Sequence, residues 1–167
     1  ERYRPHKINN DHPVWEFLSK HAGISPEEIQ ASQIITEISR TDTTKRKDVL
    51  IKAFAKVNQH YPKTFLVVTI DQNVEELARE LIELIHSMGI EQRVAVLGSV
   101  WEELPDIYAV TSIYCTASVM EGFGMTPQEA AATRIPVVSS NLVPFVAEYL
   151  LGKEPEEVIF NPGSQPL

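Results

Sequence analysis

The stretch TFLVVTI, residues 64–70, constrains the fold of this chain more than any other segment. Its apolar residues do not alternate with polar ones, which indicates a strand that is buried on both faces. An amphipathic helix is predicted on each side of it, over 47–60 and over 74–88. A strand that is covered on both faces and flanked by helices is typical of a parallel α/β sheet.

The same alternation of short apolar runs and helices continues along the chain. It predicts a doubly wound, mostly parallel sheet of about six strands with helices on both faces, a Rossmann-like arrangement. Gly89 is predicted to end its helix in the left-handed conformation, and Trp101 is expected in the core. The predicted strands are 33–39, 64–70, 93–98, 112–118, 135–140 and 157–160, and the further predicted helices are 15–21, 26–31, 101–110, 126–133 and 143–151.

Charge and composition limit the class of partner. The formal net charge is −8, which argues against a nucleic acid or an anionic membrane as partner. No apolar run approaches the ~18 residues of a membrane span. The one cysteine, Cys115, cannot form an internal disulfide and is predicted to be a small buried strand residue. A reducing, cytoplasmic location fits this usage.

The two ends of the sequence suggest a piece of a larger protein. The opening ERYRPHKINNDHP is polar and broken by prolines, and it has no initiating Met. The closing NPGSQPL is turn-rich and predicts neither helix nor strand. We therefore expect residues 1–167 to form a single domain cut from a longer chain.

Parallel sheets of this kind bind ligands at the carboxyl ends of their strands. That rule selects four loops, at 40–46, 71–73, 99–101 and 119–126. The G-x-G-x-x-G fingerprint of dinucleotide binders is absent, so NAD fits poorly. No H-x-x-x-H, C-x-x-C or D-x-D spacing occurs either, so no metal site is predicted.

The last of these loops has the composition of an anion site. Glu121 precedes it, and Gly122 and Gly124 allow a close approach of the backbone to a ligand. Thr126 is predicted to cap the helix that follows, whose first N–H groups favour an anion. Thr126 and Glu129 also have the spacing of a capping box, so capping and ligand binding both stay open for Glu129.

The loop after the first strand is basic in an otherwise acidic chain. It places four cations within eight residues, namely Arg40, Lys45, Arg46 and Lys47. A solvated basic turn and a phosphate site both fit this pattern. Arg binds phosphate through paired N–H groups, and Lys binds it as a point charge. Two such cations beside a helix N-terminus could support a diphosphate without a metal ion.

These segments resemble a known family. EGFGMTPQEA, from Glu121, is similar to the E-x7-E segment of retaining GT-B glycosyltransferases, the group 1 or family 4 enzymes that include sucrose-phosphate synthase. Ser39 to Lys45 resembles the S-R-x-x-x-x-K segment of that group, and IPVVSSN resembles its strand after the acidic loop. The resemblance covers nearly the whole chain and implies the C-terminal, donor-binding half of the GT-B fold.

The resemblance also implies roles for individual residues. Arg40 and Lys45 would hold the diphosphate and neutralise the leaving group, and Glu121 would bind hydroxyls of the donor sugar; these three are the catalytic candidates. Glu129 would accept hydrogen bonds from the ribose. The other implied donor-binding residues are Gly98, Ser99 and Val100 beside the base, and Gly122, Phe123, Gly124, Met125 and Thr126 beside the sugar and phosphates.

The implied reaction is a sugar transfer with retention of configuration. The co-substrate would be a nucleotide-diphosphate sugar such as UDP-glucose or GDP-mannose, with no metal and no other cofactor. The acceptor, a sugar, a sugar phosphate or another hydroxyl compound, would bind an N-terminal domain that this chain lacks. We therefore expect the chain alone to bind nucleotide but to transfer no sugar.

Two other classes stay open, a nucleotide-sugar 2-epimerase and a non-catalytic nucleotide-binding module. The sequence also departs from the family pattern. Arg134 stands where the family usually has glycine, which leaves the shape of the sugar pocket open.

Overall fold

The computed structural model of the chain describes residues 2–150 and 159–160. Its strands form one sheet in which all neighbours are parallel. The strands are β1 (Gln33–Glu37), β2 (Thr64–Thr69), β3 (Val94–Leu97), β4 (Ile113–Thr116), β5 (Val137–Ser140) and the two-residue β6 (Ile159–Phe160). They lie in the order β3-β2-β1-β4-β5-β6.

The prediction of a doubly wound parallel sheet is confirmed, but only five of the expected six strands have full length. Five full strands make up the sheet, and the expected sixth is a two-residue pairing with β5. Residues 157–158 of that predicted strand lie outside the described residues. Several predicted strands were too long, since Ile38 and Ile70 follow their strands and are still buried. Apolar runs indicate burial, and burial continues past the last residue assigned to each strand.

The helices alternate with the strands as the sequence predicts. They are α1 (Pro13–Ala22), α2 (Pro26–Gln30), α3 (Lys47–His60), α4 (Glu75–Ser87), α5 (Leu104–Val110) and α6 (Met125–Ala132). Two 3₁₀ turns, Thr43–Lys45 and Glu91–Arg93, and one π-helical turn, Val146–Leu150, complete the set. Helix α3 has its predicted bounds, whereas α5 begins three residues later than predicted. None of the described helices combines the length and the apolar character needed to cross a membrane.

The two faces of β2 show why its sequence is apolar throughout. Leu66 and Val68 pack against α3 and α4 on one face. Phe65 and Val67 pack against α1 on the other. Every residue of β2 is buried. Helices therefore cover both faces of the sheet, which is the arrangement that an uninterrupted apolar strand predicts.

Gly89 and Arg134, two of the residues with left-handed backbone, adopt it in different contexts. Gly89 has φ 65° just past Met88, the C-cap residue of α4, as predicted for a glycine that ends a helix. Arg134 has φ 64°, a conformation that a residue with a side chain adopts at a cost. A glycine at this position would adopt the same conformation without that cost.

The order of the strands places a crevice between β1 and β4. From β1 the chain moves outward through β2 and β3, and then returns to the other side of β1 at β4. The connections therefore diverge at the carboxyl ends of β1 and β4. Such a switch point is where open α/β sheets bind ligands.

Candidate functional site

A cavity of about 500 Å³ lies at this edge of the sheet. The loops that follow β1, β2 and β3 line it together with the start of α6. Its size is that of a small-molecule site, which is roughly 300–1,000 Å³. Six of the predicted site residues line the cavity: Arg40, Gly98, Ser99, Val100, Thr126 and Glu129.

Lys45 and Glu121 lie outside the cavity lining but contact each other. The Lys45 Nζ donates a hydrogen bond to Glu121 Oε2. The two side chains are 5% and 17% exposed, so the pair is largely shielded from solvent. The backbone holds the two loops together as well, because the Val119 N–H donates to the Thr44 carbonyl at 2.8 Å. The fold thus joins the basic loop to the acidic loop, which are 76 residues apart at this pair.

Arg40 is the accessible cation of the basic loop. Its side chain is 87% exposed, and Arg40 Nη2 is 3.9 Å from Asp42 Oδ2. Burial raises the pKa of Asp42, but hydrogen bonds from Thr44 and the charges of Lys45 and Arg40 outweigh it and hold that pKa below its usual value. An ionised carboxylate therefore stands between the two predicted phosphate-binding cations.

The other two cations of the loop have structural roles. Lys47 Nζ donates to Glu37 Oε2 and to Ser39 Oγ at 2.9 Å, and its side chain is 1% exposed. Arg46 donates to both carboxylate oxygens of Asp48, at 3.0 and 3.2 Å. Since Lys45 and Lys47 are both buried, the interpretation of this segment as a solvated basic turn is wrong for these two lysines and holds for Arg40.

The start of α6 depends on Gly124. Its φ is 102°, and an added Cβ would lie 2.6 Å from Val143 Cγ1, so a side chain does not fit. The helix begins at Met125, and Gly124 is its N-cap residue without a side-chain hydrogen bond. The predicted capping by Thr126, and with it the capping box, is therefore wrong. The Thr126 hydroxyl instead accepts a hydrogen bond from Tyr114 Oη at 2.8 Å.

Glu129 does not cap α6; tyrosines at the cavity wall surround it instead. Its Oε2 accepts a hydrogen bond from the Tyr108 hydroxyl at 3.1 Å. Burial raises the pKa of Glu129 above its usual value, partly offset by the Tyr108 hydroxyl, by the neighbouring Tyr3 hydroxyl and by Arg2. A half-buried carboxylate thus lines the cavity, positioned to accept hydrogen bonds from a ligand.

Three predicted donor-binding residues lie on the outer side of the acidic loop. Phe123 and Met125 are exposed at 40% and 66%. The Phe123 ring packs on Phe145, with 5.6 Å between ring centroids, and its carbonyl accepts from the Phe145 N–H at 2.7 Å. Gly122 has open space where a Cβ would lie. None of these three residues lines the cavity.

Sequence reasoning missed two aromatic residues of the cavity wall. Tyr3, in the leading segment, lines the cavity, as does Trp101. Trp101 is 66% exposed, and the Arg2 guanidinium lies 4.0 Å from its ring centroid. The prediction of Trp101 as a core residue is wrong because α5 begins only at Leu104. The available signal was its place directly after the Gly98-Ser99-Val100 loop.

Comparison with known proteins identifies the family to which this chain belongs. Residues 24–165 match the family model described as glycosyl transferases group 1. Mannosylfructose-phosphate synthase of Agrobacterium fabrum is 33% identical over 112 residues, which cover 64% of this chain and 25% of that protein. D-inositol 3-phosphate glycosyltransferase of Rhodococcus jostii is 32% identical over 125 residues, which cover 72% of this chain and 27% of that protein. The chain thus spans about a quarter of the length of these relatives.

Solved structures agree on the fold. The C-terminal domain of a glycosyl transferase group 1 family protein from Francisella tularensis superimposes with a TM-score of 0.73 at 19% identity, covering 96% of this chain and 77% of that one. The Anabaena protein HepE, in complex with UDP and glucose, superimposes with a TM-score of 0.72 at 23% identity, covering 95% of this chain and 42% of that one. The chain belongs to the group 1 glycosyltransferase family, whose C-terminal, Rossmann-like domain it forms.

Proposed function

We propose that this domain binds a nucleotide-diphosphate sugar at the carboxyl edge of its sheet. In the whole protein, the sugar would pass to an acceptor hydroxyl with retention of configuration and without a metal ion. The observation that carries this proposal is the cavity at the switch point, where Arg40, the 98–100 loop and Glu129 meet. The names of the relatives support it, since each is a glycosyltransferase or a sugar-phosphate synthase.

The phosphates would bind by exchange of ion pairs. Without a ligand, Arg40 faces Asp42 and Lys45 donates to Glu121. An ammonium has three donors, and Glu121 is the one partner of Lys45 Nζ within the described residues. A diphosphate oxygen would take a remaining Lys45 donor, and another would replace Asp42 at the exposed Arg40. Each charged hydrogen bond would contribute about 1.5–3 kcal/mol.

The two glutamates would divide the donor between them. Glu129, at the cavity wall, would accept hydrogen bonds from the ribose, with the base beside Gly98-Ser99-Val100. Glu121, next to Lys45, would bind hydroxyls of the sugar. The donor would thus extend from the cavity toward the acidic loop, with its diphosphate between Arg40 and Lys45.

The reaction follows from that placement. The bond between the anomeric carbon and the diphosphate oxygen breaks, and the acceptor oxygen forms its bond to the same face of that carbon. The acceptor proton passes to the departing diphosphate. Arg40 and Lys45 would stabilise the negative charge that develops on the leaving group, which is the role that a metal ion would otherwise fill.

Calorimetric titration with UDP, GDP and ADP tests the donor site. We expect one base to be preferred, with a dissociation constant on the order of micromolar to millimolar. This range corresponds to a binding free energy of roughly 4–8 kcal/mol in favour of the complex. The preferred base identifies the class of donor; the complex of HepE with UDP makes UDP the first choice. Absence of saturable binding to all three nucleotides would contradict the proposal.

The chain alone is expected to transfer no sugar, because an acceptor site is proposed to lie on a separate domain. Incubation with labelled UDP-glucose or GDP-mannose and candidate acceptors checks this. Glycosylated product from the purified chain would contradict the expectation.

The Arg40→Ala exchange separates a functional donor site from a decayed one, since it weakens diphosphate binding only where Arg40 still holds phosphate.

A further inference from the structure

The leading segment of the chain forms part of the cavity wall, although it precedes the first helix. Tyr3 lines the cavity, and its ring packs edge-on against Tyr108 with 5.7 Å between centroids. Arg2 stacks on the ring of Trp101 on the same wall. Two adjacent residues therefore connect the 98–101 loop with the tyrosines that surround Glu129.

The Tyr3 hydroxyl is chemically unusual within the described residues. It and Glu37 Oε1 are the two buried side-chain polar atoms there that have no hydrogen-bond partner. Buried polar groups are nearly always paired, so such an atom requires an explanation. Glu37 belongs to the ion pair beneath the basic loop, whereas Tyr3 lines the candidate site.

A neighbouring carboxylate indicates what would satisfy this hydroxyl. The Tyr3 hydroxyl faces Glu129 and lowers the pKa of that carboxyl as a hydrogen-bond donor does, but the contact does not reach regular hydrogen-bond geometry. Burial, and then the charge of Glu129, raise the pKa of Tyr3, so the phenol keeps its proton and is a donor at neutral pH. The carboxylate is an acceptor only. A group that accepts from Tyr3 and donates to Glu129 is a hydroxyl.

We propose that Tyr3 is a further donor-binding residue, whose hydroxyl donates to the same ribose hydroxyl that donates to Glu129. This inference rests on the proposed function of the site and extends it to the leading segment. The Tyr3 hydroxyl is covered without a ligand, so the segment shifts when the nucleotide enters. That shift breaks no helix or strand, because α1 begins at Pro13.

The test compares ribonucleotides with their deoxy analogues in Tyr3→Phe, a change that removes one oxygen. The probe is UDP or GDP, whichever the wild-type protein binds, together with its 2′-deoxy and 3′-deoxy forms. We expect Tyr3→Phe to bind the ribonucleotide about tenfold more weakly. The deoxy analogue that lacks the ribose hydroxyl bound by Tyr3 should bind the wild type and the variant with equal affinity. With that analogue, the Tyr3 hydroxyl has no ligand partner to lose.

A matched control is Tyr61→Phe, since Tyr61 is 68% exposed and lies in the loop between α3 and β2. It should leave all affinities unchanged. Equal binding of UDP or GDP by wild type and Tyr3→Phe would overturn the inference, as would an equal loss for the ribonucleotide and both deoxy forms. In either case, saturable binding by the wild type would leave the donor site itself standing.

Discussion

Lys45 and Lys47 are two residues apart, and each contacts a glutamate, yet their surroundings differ. Lys47 Nζ lies within 3.4 Å of three further oxygens, which belong to Ser39 and Thr69, in addition to Glu37. Lys45 Nζ has one partner, Glu121, in the part of the chain that the structure describes. Lys45 therefore has ammonium donors without a partner among the described residues, whereas those of Lys47 are taken up by Glu37, Ser39 and Thr69.

The backbone between the two lysines produces this difference. Arg46 has φ 50°, in the left-handed region, and it ends the 3₁₀ turn just before α3. The reversal sends Lys45 toward the acidic loop and Lys47 into the core beneath Ser39. Two lysines that look equivalent in sequence thus contact different glutamates because of the conformation of one residue.

The largest expected effect is on stability, from Lys47→Met. Removal of one partner leaves the Glu37 carboxylate buried without its counter-charge, which typically costs about 3–5 kcal/mol. Chemical denaturation measures the free energy of unfolding. The control Lys52→Met removes an exposed helical pair with Asp48 and should stay within roughly 0.5 kcal/mol. Equal losses for the two variants would show that Lys47 has no special structural role.

Lys45→Met is expected to act mainly on binding. Loss of one charged hydrogen bond to a diphosphate would weaken UDP binding by about 10- to 100-fold. Its cost to stability should be smaller than that of Lys47→Met, because Glu121 is more exposed than Glu37. Calorimetry and denaturation of the two variants side by side measure both quantities. Wild-type affinity in a folded Lys45→Met would remove Lys45 from the site.

Glu129 differs from Glu37 and Glu121 because tyrosine hydroxyls contact it instead of a lysine. Its response to acid is therefore a further test. Because burial raises its pKa, Glu129 should become protonated as the pH falls through that raised value. UDP binding is then expected to weaken by about tenfold, since the ribose loses a charged acceptor. Affinity measured between pH 7 and pH 4.5 checks this, and Glu129→Gln should show a flatter profile.

The raised pKa of Glu129 affects stability and UDP binding in opposite directions as the pH falls. A carboxyl whose folded-state pKa is raised stabilises the fold below its ordinary pKa, and this contribution is lost as the pH rises through the raised value. Protonation of Glu129 therefore does not itself unfold the domain. A loss of UDP binding that coincides with unfolding would contradict the assignment of the pH effect to Glu129.

An effect on stability smaller than that of Lys47→Met is expected at Arg46, the residue that separates the two lysines. Arg46→Val places a β-branched residue at a positive φ and should cost about 1–3 kcal/mol. Arg46→Gly relieves the backbone while losing the pair with Asp48, so it should stay within about 1 kcal/mol of wild type. Thermal unfolding compares them. A valine variant as stable as the glycine variant would show that the left-handed turn is not required.

Much of the fold could be predicted from the sequence because its signals are local. The periodicity of 47–60 gave α3 its bounds, and the apolar run at β2 indicated a sheet covered on both faces. The parallel sheet then placed the strand-end loops at one edge. Strand ends were less predictable, since Ile38 and Ile70 are buried although they lie past the last residues of β1 and β2.

The site was predictable in part for the same reason. Glu121 and Lys45 could be named from their loops, but their contact depends on the adjacency of β1 and β4. The separation of Lys45 from Lys47 depends on a left-handed arginine, for which the sequence has no signal. Tyr3 was missed because its contacts are with residues more than 100 positions away, at Tyr108 and Glu129.

Titration with UDP and UMP, on wild type and on Arg40→Ala, tests the central claim that this edge binds a diphosphate. Arg79→Ala is the control, because Arg79 is a comparably exposed cation in a helical pair with Glu83. We predict that wild type and Arg79→Ala bind UDP at least about tenfold more tightly than UMP, and that Arg40→Ala loses most of that difference. An unchanged ratio in Arg40→Ala, or equal affinity of wild type for UDP and UMP, would contradict the account.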